Sequence, residues 1–166
     1  MEKIKSGEHF FYRDEDYIDD LEFIVLNVGW NSFYAISAEL LPNKMPFDTG
    51  GSNNWETSSL REWLNKEFSK RLYHANLLCR LDGNLITILS EEEVEEYKNI
   101  LPKYPTHWWT RARDASNARC AWSVDPAGQL NGYYVINANG VSPAWTFSNV
   151  CMKIKDEDGR KIIYYE

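Results

Sequence analysis

Apolar and aromatic positions gather at residues 10–12 and 21–28, where β-branched and aromatic side chains predict two strands. Gly29-Trp30-Asn31-Ser32 reads as a turn into a third strand over 33–37, so the second and third strands form a hairpin. Residues 40–54, with two prolines and Gly50-Gly51, read as a long connection. The period then changes. Leu60, Trp63, Leu64 and Phe68, extended by Leu72, recur at helical spacing, and Ser59 with Glu62 has the spacing of a capping box. That face is expected to be core. Residues 85–89 read as a short strand that runs into a second helix over 91–99. Ser90 and Glu93 cap that helix, and Pro102 and Pro105 prevent its continuation. Beyond it, Asp125-Pro126-Ala127-Gly128, Asn131-Gly132 and Asn139-Gly140 are turn signals. Asp158-Gly159 closes a terminal hairpin between 151–155 and 161–165. Strands, two short helices, then strands and long loops make an α+β chain, without the alternation of a parallel sheet.

The chain has 166 residues, a length that favours one domain over 1–166, with 18 basic and 25 acidic side chains and a net charge of −7. That balance argues against non-specific nucleic-acid binding, which needs a basic face. No apolar run approaches the roughly 20 residues of a membrane span. The first residues lack an apolar signal-peptide core, so a cytoplasmic or virion-associated location is expected. Charge is uneven. Acidic residues crowd the first 22 positions, with a solvated acidic loop at 14–20, and five more fall in 91–96. Residues 106–151 hold only Asp114 and Asp125 against Arg111, Arg113 and Arg119, yet carry four of the seven tryptophans. That stretch reads as regional specialisation inside one domain.

Cys79, Cys120 and Cys151 are odd in number and widely spaced, which indicates neither a disulfide framework nor a zinc knuckle. No phosphate-binding glycine loop or nucleophile elbow occurs, and His9, His74 and His107 have no second ligand at helical spacing. Residues 155–159 have the acids of a calcium loop without its spacing. No cofactor and no metal are expected. Cys120 beside Arg119 is the one nucleophile candidate. The richer cluster is Trp108-Trp109-Thr110-Arg111-Ala112-Arg113 with Asn117, Arg119 and Trp122, residue types enriched at binding hot spots. Its tryptophans either plug the core or line a binding surface.

Four patterns resemble one family. They are Trp55-x-x-Ser58-Ser59-Leu60-Arg61-x-Trp63-Leu64-Asn65-x-x-Phe68, Leu89-Ser90-Glu91-Glu92-Glu93-Val94-x-x-Tyr97, Trp108-Trp109-x-Arg111 and Gly140-Val141-Ser142-Pro143-Ala144. Together they resemble the domain-of-unknown-function family 6273 of Firmicutes and their prophages, over about residues 21–147. The resemblance implies a C-type-lectin-like fold, related to formylglycine-generating enzymes and to variable receptor-binding proteins of phages. In such folds two helices and twisted strands support long loops that bind a partner. Thr110 stands where the family has Leu, and Ser142 where it has Arg. The calcium-dependent sugar-binding motifs of lectins and a catalytic cysteine pair are both missing, so neither activity is carried over.

The expected function is therefore a non-catalytic binding module of phage or prophage origin, recognising a protein or carbohydrate through loops between Arg111 and Asn139. Its expected ligand-binding residues are Arg111, Arg113, Asn117, Arg119, Trp122, Tyr133 and Asn137. The alternatives are a structural component of a phage particle or assembly, and a Cys120-dependent enzyme. Arg61, at the edge of the first helix's apolar stripe, is expected to tie structure together rather than touch a ligand.

Overall fold

The computed structural model describes residues 4–14, 20–72, 78–79 and 85–165, the pair 78–79 by its backbone. Most strands join one seven-stranded sheet. It is built from β1 (His9–Tyr12), β2 (Leu21–Val28), β3 (Ser32–Ser37), β5 (Leu78–Cys79), β10 (Ala144–Ser148), β11 (Met152–Glu157) and β12 (Arg160–Tyr165). The order is β11-β12-β1-β2-β3-β10-β5. The β1–β12 pair is parallel, Phe11 opposite Ile162, and every other pairing in the sheet is antiparallel. The terminal hairpin forms as the sequence predicts, with Asp158 (φ 54°) and Gly159 (φ 77°) in its turn. Its second strand lies beside β1, so the hairpin belongs to the main sheet.

Both faces of this sheet are covered, which explains why β2 reads as a continuous apolar run rather than an alternation. Phe23 and Val25 belong to one cluster and Ile24 and Leu26 to another. On the first face Phe10, Tyr12, Phe33, Trp145 and Phe147 interlock, Phe33 stacked on Phe147 at 5.1 Å and Phe23 edge-on to Trp145 at 4.7 Å. Against them lies α1 (Ser59–Lys66), burying Leu60 and Leu64, followed by a 3-10 turn that buries Phe68. The second face packs against α2 (Glu91–Glu96) and its flanks, through Leu89, Val94, Tyr104 and Trp108. Each such buried side chain contributes about 1.5–3 kcal/mol by area burial.

Two smaller sheets complete the described residues. One pairs β4 (Met45–Pro46) with β9 (Ala138–Asn139); the other sets β6 (Trp108–Arg113), β7 (Cys120–Val124) and β8 (Leu130–Tyr134) in antiparallel order. No helix among the described residues is long and apolar enough to cross a membrane.

Several expectations are corrected. The first helix is capped one residue earlier, by Ser58, whose Oγ accepts from Arg61 N; Ser59 Oγ instead accepts from Thr49 N. The capping box at Ser90 and Glu93 forms as predicted, although α2 ends at Glu96. Trp63 sits half-buried at the rim, 5.6 Å from Phe68 and under Arg71. Residues 85–89 make only a single bridge, Thr87 with Ala144. Asn65 of α1 is the reason. Its Oδ1 accepts from Leu85 N and Ile86 N, and its Nδ2 donates to Ile86 O, so one side chain replaces a partner strand. Asn131-Gly132 is no turn but part of β8, opposite Ser123 and Trp122. Asn139 pairs with Met45, and Gly140 bridges Trp108; a Cβ at Gly140 would meet Leu40 Cδ1 at 2.7 Å and His107 O at 2.9 Å. Residues 15–19 of the acidic loop lie outside the described residues.

Arg13, just past β1, joins three parts of the chain. It grips Asp20 with two hydrogen bonds of 2.8 and 2.7 Å, and Glu157 of β11 with two of 2.9 and 3.1 Å. The guanidinium holds Glu157 down at about 2 against an ordinary 4.5, and holds Asp20 below its usual range. Carboxylates depressed in the folded state stabilise it above their unfolded pKa and lose that contribution as pH falls through the folded one. Urea midpoints should therefore decline as pH falls from about 4.5 toward about 2. Arg13→Met should flatten that decline; an unchanged pH profile in Arg13→Met would show that other groups set it.

Candidate functional site

The three-stranded sheet divides the expected ligand-binding residues into two groups. Trp108 and Trp109 are core, 2% and 0% exposed. Trp109 donates from Nε1 to Met45 O at 2.8 Å and packs edge-on to Phe47 and Tyr133. Tyr133, expected at the binding surface, is half-buried against Trp109 and His107. Arg111 also turns inward. Its Nη1 donates to Ile88 O at 2.6 Å and to Glu93 Oε1 at 2.5 Å, which ties β6 to the segment before α2 and to its capping residue. Both side chains are spent on the scaffold. Alternation on β6 sends Trp108 and Trp109 to two different buried clusters, whereas on β7 it buries Ala121 and leaves Trp122 half-exposed above Gly132. Arg61 is the local tie expected of it, donating to Glu56 O at 3.3 Å beside the Glu56 carboxylate.

Arg113, Asn117, Arg119 and Asn137 are exposed. The structure gathers two of them, Arg119 and Asn137, into an open cleft of about 570 Å³. Tyr134, Ile136, Val135 and the Gly50-Gly51 backbone complete it. Tyr134 and Ile136 are 55% and 62% exposed, an unusual state for large apolar side chains on neighbouring positions. An apolar pair beside a guanidinium and an amide can bury hydrophobic surface and orient polar groups on one ligand.

Both walls of the cleft are fixed by side chains that bond to backbone. Asp48, buried, accepts from Ser59 N at 3.0 Å and Ser52 N at 2.9 Å, anchoring the glycine loop to the start of α1. Asp48 N donates to Val135 O, and Val135 N to Arg119 O, which holds the two walls together. Asn53 Nδ2 reaches three carbonyls of the β6–β7 connection, Asp114 O at 3.1 Å, Asn117 O at 3.2 Å and Cys120 O at 3.0 Å. Asn117 Oδ1 accepts from Arg119 N at 3.0 Å, so Asn117 shapes the turn that presents Arg119.

Tyr134, Ile136, Gly50, Gly51 and Asn53 escaped the sequence reading. Tyr134 ends β8 and Ile136 lies two residues beyond it, without a pattern that marks them as exposed. The glycine pair was visible only as a loop signal, and Asn53 as one polar residue among several.

The described residues hold no group of three histidine, cysteine, aspartate or glutamate side chains that converges on a metal. Cys120 is buried; burial pushes its thiol up and the Asp114 charge adds to the effect, the reverse of what activates a nucleophile.

Two measurements check this arrangement. Asn53→Ala should destabilise by about 1 kcal/mol, with faster amide exchange at Asn117 and Cys120; unchanged exchange there would show that the loop holds itself. Iodoacetamide with peptide mapping should label exposed Cys151 readily and Cys120 only after denaturant. Fast Cys120 labelling in the folded protein at neutral pH would reverse the assignment of an unactivated thiol.

Comparison of the chain with protein-family models, with curated proteins and with solved structures finds no match in any of the three.

Proposed function

We propose that the protein is a non-catalytic binding module that recognises a protein or glycan through the cleft formed by Arg119, Tyr134, Ile136, Asn137 and the Gly50-Gly51 loop. The observation that carries this reading is the exposure of Tyr134 and Ile136 beside Arg119, between walls that Asp48 and Asn53 hold fixed. A preformed site loses little entropy on binding, so modest contacts there convert to affinity. The motif resemblance adds the C-type-lectin-like class and a phage or prophage setting. In its support, the quoted motifs fall on scaffold positions. Trp109 and Arg111 lock β6, and Ser90 and Glu93 cap α2. Arg113 and Trp122, on β6 and β7, are not among the residues that line the cleft.

A second reading, a structural part of a phage particle or assembly, draws on Trp30. This side chain is 94% exposed at the β2–β3 turn, with Val28 of β2 also exposed. An exposed aromatic at a hairpin tip suits a contact with a neighbouring subunit.

Wild-type protein should retain a ligand from either a glycan array or a bacterial surface-protein extract. Tyr134→Ala, Ile136→Ser and Arg119→Ala should each weaken that binding about tenfold, a loss near 1.4 kcal/mol. Their stability should stay within about 0.5 kcal/mol of wild type, as for ordinary surface changes. Binding that is insensitive to all three, but lost with Trp30→Ser, would move recognition to the hairpin tip.

A further inference from the structure

The second face of the large sheet is apolar at Ile24, Leu26, Ile36 and Ala144, and then turns polar in a single row. Asn27, Tyr34 and Thr146 stand opposite one another across β2, β3 and β10, so their side chains share one face. With Ser32, and with Glu93 and Tyr97 from α2 and its end, they line a pocket of about 290 Å³. Arg111 sits behind it, bonded to Glu93 Oε1 at 2.5 Å.

Tyr34 is the telling residue. It is only 9% exposed, and its hydroxyl, beside the Glu93 carboxylate and the Arg111 guanidinium, makes no hydrogen bond of good geometry to either. A buried hydroxyl left without a partner carries a desolvation cost that Phe would avoid at the same packing. A polar row across three strands, ending in such a hydroxyl inside a cavity, is a built recognition surface. It uses none of the cleft residues.

We infer that this pocket binds a small neutral polyhydroxy ligand of monosaccharide size, whose hydroxyls meet Glu93, Tyr34 and Thr146. Charge selects the class. Glu93 is already neutralised by Arg111, so a cation would face a guanidinium, and an anion would face Glu93 and the acidic α2. A purely apolar ligand would leave Tyr34, Thr146 and Asn27 unsatisfied. Hydroxyl groups donate and accept, as do the tyrosine, threonine and serine that line the site. The Tyr97 ring offers an apolar face to ring C–H groups. The volume lies at the small end of ligand pockets, which excludes an extended chain.

The test is an NMR titration of the full ¹⁵N-labelled chain with glucose, galactose and N-acetylglucosamine, alongside propylamine and inorganic phosphate. At least one sugar should shift the Ser32, Tyr34 and Thr146 amides saturably. Tyr34→Phe should weaken that sugar at least tenfold while leaving the melting temperature equal to wild type or higher. A clear drop in melting temperature would show that the hydroxyl is already bonded within the protein and would overturn the proposal. So would silence from all three sugars, or saturable shifts at these amides from the amine or phosphate alone. Tyr134→Ala, which alters the cleft, should leave the titration unchanged. A sugar lost with Tyr134→Ala and retained by Tyr34→Phe would belong to the cleft and would equally overturn this site.

Discussion

The seven-stranded sheet must be covered on both faces, and the two α-helices among the described residues are short, eight residues and six. A helix of that length hides little of a sheet this wide, so irregular chain must supply the rest. Irregular chain laid over a sheet brings backbone amides and carbonyls that need partners once water is excluded. Single polar side chains meet that need here. Asn65 serves 85–86, Arg111 serves Ile88, Trp109 serves Met45, Asp48 serves 52 and 59, and Asn53 serves the 114–120 connection. The loops are thereby part of the scaffold, and their hydrogen bonds do the work that a ladder or a helix would do elsewhere.

This substitution explains which side chains are left uncommitted at the surface. An arginine or tyrosine committed to a carbonyl or to a core ring has no capacity for a ligand, which is the position of Arg111 and Tyr133. Residues that lie between the pinned points are held in place without being consumed. Arg119 and Asn137 are of that kind, and so are Tyr134 and Ile136, whose backbones are fixed on either side while their side chains face outward. Rigidity and exposure, normally opposed in a loop, coexist because the fixing bonds are made by neighbours.

Elements with a local signal were legible in the sequence. β2 and its hairpin partner, the capping box at Ser90 and Glu93, and the terminal hairpin each rest on propensity or turn chemistry within a few residues. What failed depended on distant partners. The 85–89 segment has strand composition, yet Asn65, about twenty positions away, takes the role of the neighbouring strand. Asn131-Gly132 carries a turn signature, but its pairing to Trp122 and Ser123 overrides it. The site followed the same rule. Composition marked the region 106–151 as specialised, but that both faces of β6 are covered, burying Trp108 and Trp109 alike while Trp122 of β7 stays half-exposed, depends on partners distant in sequence. Asn53 and Asp48 have no period and no motif, so their role was invisible.

Charge placement separates the two faces of the molecule further. The net −7 resides largely in the first 22 residues and in 91–96, outside the stretch that carries the cleft. At physiological ionic strength a surface charge is screened beyond about 8 Å; the acids of 91–96 act on α2 itself, and no carboxylate among the described residues lines the cleft beside Arg119. The cleft is thus governed by its own guanidinium and apolar pair. The polar row beneath α2 lies instead within the field of the helix acids, where the Arg111–Glu93 pair keeps its floor neutral. Arg111 therefore answers two demands with one side chain. It donates to the Ile88 carbonyl, which also accepts from the Thr87 hydroxyl, and it cancels the charge that the capping glutamate brings into a half-buried place.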